Sequence, residues 1–382
     1  MTKLNVVKIV ILISAFTAFN GCGTNPVTGE TEFQLVSEGQ EISIGQENYL
    51  TSQQSQGGAY VTDPELSRYV NGVGQKLAKV SDRPNLPYEF VVLNNSVPNA
   101  WALPGGKIAV NRGLLLELNN EAELAAVLGH EIVHAAARHG AKSMERGMML
   151  NVGIMGLGIA TSGEDSADLI VGAAALGSQL VNQKYGRDAE LESDFYGMKY
   201  MAKAGYDPAA AIKLQETFVR LSSGRQSNWL EGLFASHPPS QERVNANKAT
   251  AKKLNSKGVL NEKIYQQKIA HIKKIKPAYD EYAEAQKALK DSNSQRAMNL
   301  IDKAIKTEPE EGLFYALKGD IYYNKKQYKD AEKLFTTAIN NNSGFFLFYL
   351  ERGLTYEKMN QNSKAKRCLL YTSDAADDLL QV

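Results

Sequence analysis

Two histidines four residues apart, with a glutamate beside the first, are the residues best suited to chemistry: His130-Glu131-Ile132-Val133-His134. On a helix, positions i and i+4 share a face, so both imidazoles can reach one ion about 2 Å away. Glu131 then sits beside the open coordination position, where a carboxylate can take a proton from water. Two unconnected helical histidines would give the same letters. Leu124, Val127 and Leu128 argue against that reading, because they make this helix a buried one. Buried imidazoles and a buried carboxylate need partners. The spacing therefore predicts one catalytic Zn2+ per chain. Catalytic zinc normally takes three protein ligands and a water, so a third ligand must come from elsewhere. Glu190-Leu-Glu-Ser-Asp194 offers two acids on one helical face. One would bind the metal, and the other would orient a ligand histidine through its free ring N–H. The spacing leaves open which does which. Glu192 faces away. His139, five residues beyond His134, is rotated off the metal face and reads as structural.

These groups need elements to hold them. Helical periodicity begins at Glu38. Asp63-Pro64 opens a helix with Leu66, Tyr69, Val70, Val73 and Leu77 on one face. Tyr88 to Leu93 reads as a strand. Trp101 to Val110 reads as a hairpin or edge strand turning at Gly105-Gly106, and Pro104 argues against a central strand. Asn119-Asn120-Glu121 opens a helix predicted to run to about His139. A further helix spans about Asp188 to Ala204, stopped by Gly205. Residues 147–186 hold two apolar, Gly/Ala-rich arms around a polar turn at 162–166. Each arm is too short for a membrane hairpin, so a mobile helical flap over an apolar cleft is expected. Residues 250–276 are Lys-rich and read as a helical connector.

The last third repeats itself. Tyr315, Gly319, Tyr322 and Ala331 recur at Tyr349, Gly353, Tyr356 and Ala365, each 34 residues on. That is the tetratricopeptide period, and Phe335 and Ala338 fall where it wants a bulky and a small residue. Ala297, Ala304 and Pro309 continue it one period earlier. Such arrays usually offer a concave surface to a polypeptide.

The chain of 382 residues has 43 Lys plus Arg against 42 Asp plus Glu, which gives no electrostatic case for nucleic acid. Its two Cys exclude a disulfide framework and a Cys-based zinc finger. Lys3 precedes and Lys8 interrupts a short apolar run, Val6 to Phe19, which ends at Phe19-Asn20-Gly21-Cys22 and reads as a signal peptide. Its end resembles the bacterial lipobox, with Phe19 departing from the usual Leu. Cys22 would then carry lipid and tether the protein to a membrane. Gly23 rather than Asp after the Cys resembles lipoproteins of the outer membrane. At the other end, Cys368-Leu-Leu-Tyr-Thr-Ser-Asp-Ala-Ala-Asp-Asp abandons the repeat and resembles sequencing-adapter readthrough.

Taken with Glu190-xxx-Asp194-xx-Gly197 and Ser236-His237-Pro238 followed by Arg243, the HExxH segment resembles the HtpX/BepA-like gluzincin metallopeptidases. The likeness extends to Asn25-Pro-Val-Thr-Gly and to the segment from Asn99 to Ile108. The repeats match the BepA-like periplasmic branch. The resemblance implies an α+β zinc metalloprotease domain, mainly helical with a small mixed sheet, followed by an all-α tetratricopeptide repeat domain. The expected divisions are a signal peptide (1–21), a lipoprotein tether (22–45), a metallopeptidase domain (46–250), a helical connector (251–276), repeats (277–367) and a non-native tail (368–382).

The resemblance also implies roles. His130, His134 and Glu190 would bind zinc, Glu131 would be the general base, and Asp194 would stand behind a ligand. His237 would either occupy the fourth position and hold the enzyme latent, or help stabilise the oxyanion. Arg243 would hold a carboxylate or the transition state. Trp101, Leu103, Gly105 and Gly106 would offer a strand edge to an extended substrate. The expected function is a zinc endopeptidase of the bacterial envelope that degrades misfolded or stalled outer-membrane proteins. Its repeats would bind substrate or the outer-membrane assembly machinery. The alternatives are an assembly factor or chaperone with a latent site, and a repeat adaptor on a dead protease. The complete set of metal residues argues against the last.

Overall fold

The structure, a computed structural model, describes residues 22–159, 185–223 and 231–377. It opens with a hairpin of β1 (Cys22–Thr24) and β2 (Thr31–Phe33), in a segment whose Gly, Pro, Thr and Asn content predicts loop. The cause is local. Asn25 is fully buried, and its Oδ1 accepts from Val27 N (2.8 Å) and Thr28 N (3.3 Å), which closes the turn. Its Nδ2 donates to Glu32 Oε1 at 2.9 Å.

Helix α1 (Glu38–Ser55) starts in a capping box between Ser37 and Gln40. Helix α2 (Pro64–Ala78) is capped by Asp63, which accepts from Leu66 N at 3.0 Å, and it buries Leu66, Val70, Val73 and Leu77. β3 (Glu89–Leu93), β4 (Ala100–Leu103) and β5 (Lys107–Asn111) form a sheet of order β3-β5-β4. β5 runs parallel to β3 and antiparallel to β4. β4 is an edge strand, but β5 is the central one, so Pro104 does not keep the whole stretch at the edge: it sits in the turn between the two strands, outside both ladders. Gly105 and Gly106 make the turn at φ +75° and +87°. A side chain on Gly105 would meet the Ile42 backbone at 2.7 Å, so this glycine also lets α1 seat on the turn.

The short α3 (Arg112–Leu115) leads to α4 (Glu121–Ala136), which carries the HExxH residues and is buried along its whole length. α4 ends earlier than its periodicity suggests. Arg138 adopts φ +63°, and a new helix, α5 (His139–Ile159), starts at once. Tertiary contacts hold the break: Arg138 bonds Glu41 and the Val36 carbonyl, and lies 3.3 Å from Glu145. The flap expected at 147–186 falls largely outside the described residues; its first part, to Ile159, is seen as α5, and its last two residues, Tyr185 and Gly186, lead into the next helix.

α6 (Arg187–Lys203) packs on α4 at two glycines. A side chain on Gly197 would meet Gly129 C and His130 N at 3.1 Å. This close crossing is what brings the acids of α6 to the histidines of α4. α7 (Ala209–Ser223), α8 (Glu231–Ser236) and α9 (Gln241–Leu254) complete the domain.

The connector is not one helix. α9 ends at Asn255 in a left-handed cap, and Val259 pairs with the backbone around Gly205 before α10 (Glu262–Lys268) begins. Gly258 makes the break, because the Tyr206 carbonyl carbon lies 2.2 Å from where its side chain would start.

Three helix pairs follow: α11 (Ala270–Lys290) with α12 (Ser294–Thr307), α13 (Gly312–Asn324) with α14 (Tyr328–Asn341), and α15 (Phe346–Lys358) with α16 (Asn362–Asp377). From α12 on, helix starts recur every 34 residues, at Ser294, Tyr328 and Asn362 and at Gly312 and Phe346, whereas α11 starts early, at Ala270. Gly319 admits the Phe335 ring, and Ala331 and Ala338 are fully buried. The repeats share the domain's core through Tyr265, Ile272, Tyr279 and Phe314. Arg112 lies 3.4 Å from the centre of the Tyr279 ring, Asn94 donates to Glu311 at 2.9 Å, and Gln54 holds Gly344 O and Phe346 N. α16 carries the tail residues as far as Asp377.

Candidate metal centre

Four side chains from three places in the chain converge: His130 and His134 of α4, Glu190 in the first turn of α6, and His237 just after α8. All four are buried, and one ligand atom from each lies within 4.8 Å of the others. The Nε2 atoms of His130 and His134 are 3.0 Å apart. Glu190 Oε1 lies 3.4 Å from His134 Nε2 and 3.0 Å from His237 Nδ1. His237 Nδ1 is 3.3 Å from His130 Nε2, while its Nε2 points at Glu131 Oε1, 3.5 Å away.

Outer partners orient the inner atoms. His130 Nδ1 bonds Asp194 Oδ1 at 2.9 Å. Arg243 clamps Asp194 from Nε (2.8 Å) and Nη2 (2.7 Å), and its Nη1 lies 2.7 Å from Glu190 Oε2. One guanidinium thus ties the two acids of α6 together. Arg243 is placed by the N-cap of α9, where Ser240 accepts its backbone N–H at 3.2 Å.

His139 is not where a continuous helix would put it. The break at Arg138 turns it back, so that its Nδ1 lies 2.8 Å from His134 Nδ1 and its Nε2 lies 3.3 Å from Glu192 Oε1. Glu192 does face away from the cluster, yet it reaches it through His139. Tyr185 stacks on His134, centroids 3.9 Å apart and planes 24° from parallel. The crowding of three histidines within ten residues was a sequence signal for His139. No spacing points to Tyr185.

Metal fit follows from the protons. With Nδ1–H of His130 donated to Asp194 and Nδ1–H of His134 donated to His139, lone pairs remain on both inward Nε2 atoms. Two lone pairs 3.0 Å apart call for a cation between them. Without the cation, a proton on His130 takes its place. Burial opposes charge on His130, yet Glu190 and Asp194 overcome it and push its pKa up to about 10. His134, by contrast, is pushed well down by burial and by the neighbouring histidines. Burial works to raise Glu190, but His237 and His130 outweigh it and hold its carboxyl well below the usual range. A nitrogen-rich set with one carboxylate suits Zn2+.

Glu131 is buried beside the cluster, and its Oε2 has no hydrogen bond among the described residues. Burial raises its pKa, partly offset by His237 and His130. It borders a cavity of about 40 Å³ whose far wall is apolar: Val127, Met198, Leu214 and Phe218. Trp101, Leu103, Gly105 and Gly106 are not brought to this cluster. Trp101 and Leu103 pack with Tyr49, Leu93 and Ala109, and Gly106 lies against Tyr88. Cys22 is exposed at the start of β1.

One test concerns His139. His139→Ala is expected to weaken zinc binding about 10–100-fold, the usual cost of losing a partner that orients a ligand. Competition titration against a zinc chelator measures it, and unchanged affinity would return His139 to a packing role.

The sequence profile described as peptidase family M48 matches residues 64–251. The chain is similar to the beta-barrel assembly-enhancing protease of Escherichia coli K12, 30% identical over 230 residues, covering 58% of this chain and 46% of that protein. It is also similar to metalloprotease YcaL of the same organism, at 31% over 176 residues, 45% of this chain and 67% of that one. The mitochondrial metalloendopeptidase OMA1 of Schizosaccharomyces pombe is 31% identical over 223 residues, 57% and 63%. The chain spans about half the length of the assembly-enhancing proteases it matches.

Proposed function

This chain belongs to peptidase family M48, and on that premise we propose that it is a zinc endopeptidase of the bacterial envelope that cleaves unfolded or stalled outer-membrane proteins. The observation that carries the reading is the convergence of His130, His134, Glu190 and His237 beside Glu131, whose Oε2 has no hydrogen bond among the described residues. Zinc held by His130, His134 and Glu190 would act as a Lewis acid and bring a bound water toward ionisation near neutral pH. Glu131 takes the proton of the attacking water and passes it to the leaving nitrogen. Asp194 and His139 keep the inward nitrogens of the two histidines free for metal. Arg243 aims Glu190 from 2.7 Å. Tyr185, pushed up by burial and by the nearby Glu131 and Glu190, stays a neutral donor in the site.

An extended polypeptide would add to β4, which packs on α4, once that buried edge is uncovered. The Trp101 and Leu103 side chains are in the core, so recognition along this strand would run through the backbone. Backbone recognition tolerates many sequences and suits misfolded substrates. The repeats, fixed to the domain through Arg112 and Glu311, would present clients or dock to assembly machinery. The similarity to assembly-enhancing proteases supports this, as it supports a periplasmic location. Residues 1–21 would be the signal, and Cys22 the lipid anchor in the outer membrane. Among the described residues, no helix is long and apolar enough to cross a membrane.

A second reading, a mostly latent site serving an assembly factor, is favoured by His237. Its Nδ1 sits among the ligand atoms, 3.0 Å from Glu190 Oε1, where a fourth ligand would exclude water. His237→Ala is therefore expected to raise resting cleavage of casein severalfold while zinc content stays the same. A fall in cleavage with zinc retained would instead make His237 a helper of the reaction.

A further inference from the structure

We propose that the face formed by the β1–β2 hairpin and the outer side of α5 lies flat on the lipid leaflet, so that bilayer contact fixes the orientation of the metal centre. The inference rests on the reading of Cys22 as acylated, and goes beyond it in replacing a loose tether with a docked surface.

Cys22 is the first residue of β1 and pairs with Phe33 of β2. Paired residues of an antiparallel ladder point to the same face, with Cβ atoms about 4.5–5.5 Å apart. Acyl chains on Cys22 therefore leave the protein beside the Phe33 ring, which is 41% exposed. Leu35, two residues on, is 49% exposed. Glu145 of α5 accepts from both Leu35 N and Val36 N at 2.9 Å, which sets the segment after β2 against α5. One turn further along α5 stand Met148 and Met149, 45% and 49% exposed. Four large apolar side chains thus extend from the anchor point onto α5, and Arg146 among them is exposed and able to meet anionic headgroups.

The hairpin has no slack. Lys142 of α5 pairs with Glu32 at 2.6 Å, and Asn25 is fully buried. Between the anchor and the folded body there is no free residue to act as a spacer. Acyl chains seated in a leaflet must then bring Phe33 and its apolar neighbours to the headgroup boundary. The leaflet is the occupant the anchor dictates; a protein covering the same patch is the competing outcome.

The test uses full-chain protein isolated with its lipid. It is reconstituted in vesicles of phosphatidylethanolamine and phosphatidylglycerol, with or without bromine on the acyl chains. Phe33→Trp, Met148→Trp and, on the repeats, Leu354→Trp are read as fluorescence differences from wild type. Bromolipid should quench the first two at least about two-fold, as for side chains about 5–10 Å into the boundary, and leave the third unchanged. Mass spectrometry of the N-terminal peptide reports acylation separately. Acylated protein quenched at position 33 alone, or at none of the three, overturns docking and leaves the anchor standing. Equal quenching at all three also overturns it. An unmodified Cys22 overturns both.

Discussion

Glu131→Gln lowers the turnover of unfolded casein by about 10²–10⁴-fold, the usual contribution of a positioned general base, while zinc content stays at the wild-type level. The amide fits the same buried space beside His237 and the cavity wall, so folding and metal binding are undisturbed. What disappears is the group that takes and returns the proton. The pH profile carries the same information. Burial raises the Glu131 carboxyl, so the base form is present above that raised pKa and is lost as pH falls through it. The acidic limb of activity therefore belongs to Glu131 and is absent from the residual activity of the Gln variant. Mutant zinc content that falls with activity would move Glu131 from chemistry to metal retention.

Arg243→Ala produces the largest expected loss of stability. The guanidinium is buried and neutralises two buried acids, Glu190 and Asp194. Removing one partner of a buried ionic cluster costs about 3–5 kcal/mol, because charge is left without compensation. Asp194 would then rise toward and past its ordinary value, since Arg243 is the chief force holding it down against burial. The stabilisation this supplies is present above the unfolded aspartate pKa and is lost as pH falls through the depressed folded one. Denaturant unfolding of metal-free protein near neutral pH measures the difference. Arg243→Lys recovers little, because one ammonium cannot hold Asp194 through two nitrogens and Glu190 through a third. Unfolding midpoints within about 0.5 kcal/mol of wild type would show that the acids have other support.

Much of this was legible in residues that repeat or share a helical face. The i, i+4 pair on α4 and the acids of α6 needed only helix geometry. The repeats were legible because small residues recur at 34 where helices cross. What stayed hidden depends on contacts distant in sequence. The end of α4 is set by Arg138 in a left-handed conformation, held by Glu41 far upstream, with no glycine to announce it. That one break changes His139 from a residue off the metal face into a partner of His134. Tyr185 reaches His134 from the chain preceding α6. The hairpin at residues 22–33 is held by Lys142 and the buried Asn25, so its loop-like composition misleads. Trp101 and Leu103 lie on the expected strand, but its alternation could not say which side α1 and Tyr49 would cover.

The central claim is that one zinc ion, held by His130, His134 and Glu190, makes this chain a peptidase. Zinc titration of chelator-stripped protein, scored by casein cleavage in wild type and in His237→Ala, tests it most directly. No cleavage is expected without metal, and recovery should saturate at one zinc per chain, most strongly in His237→Ala. Cleavage indifferent to the chelator, or none from either protein once one zinc per chain is bound, would contradict it.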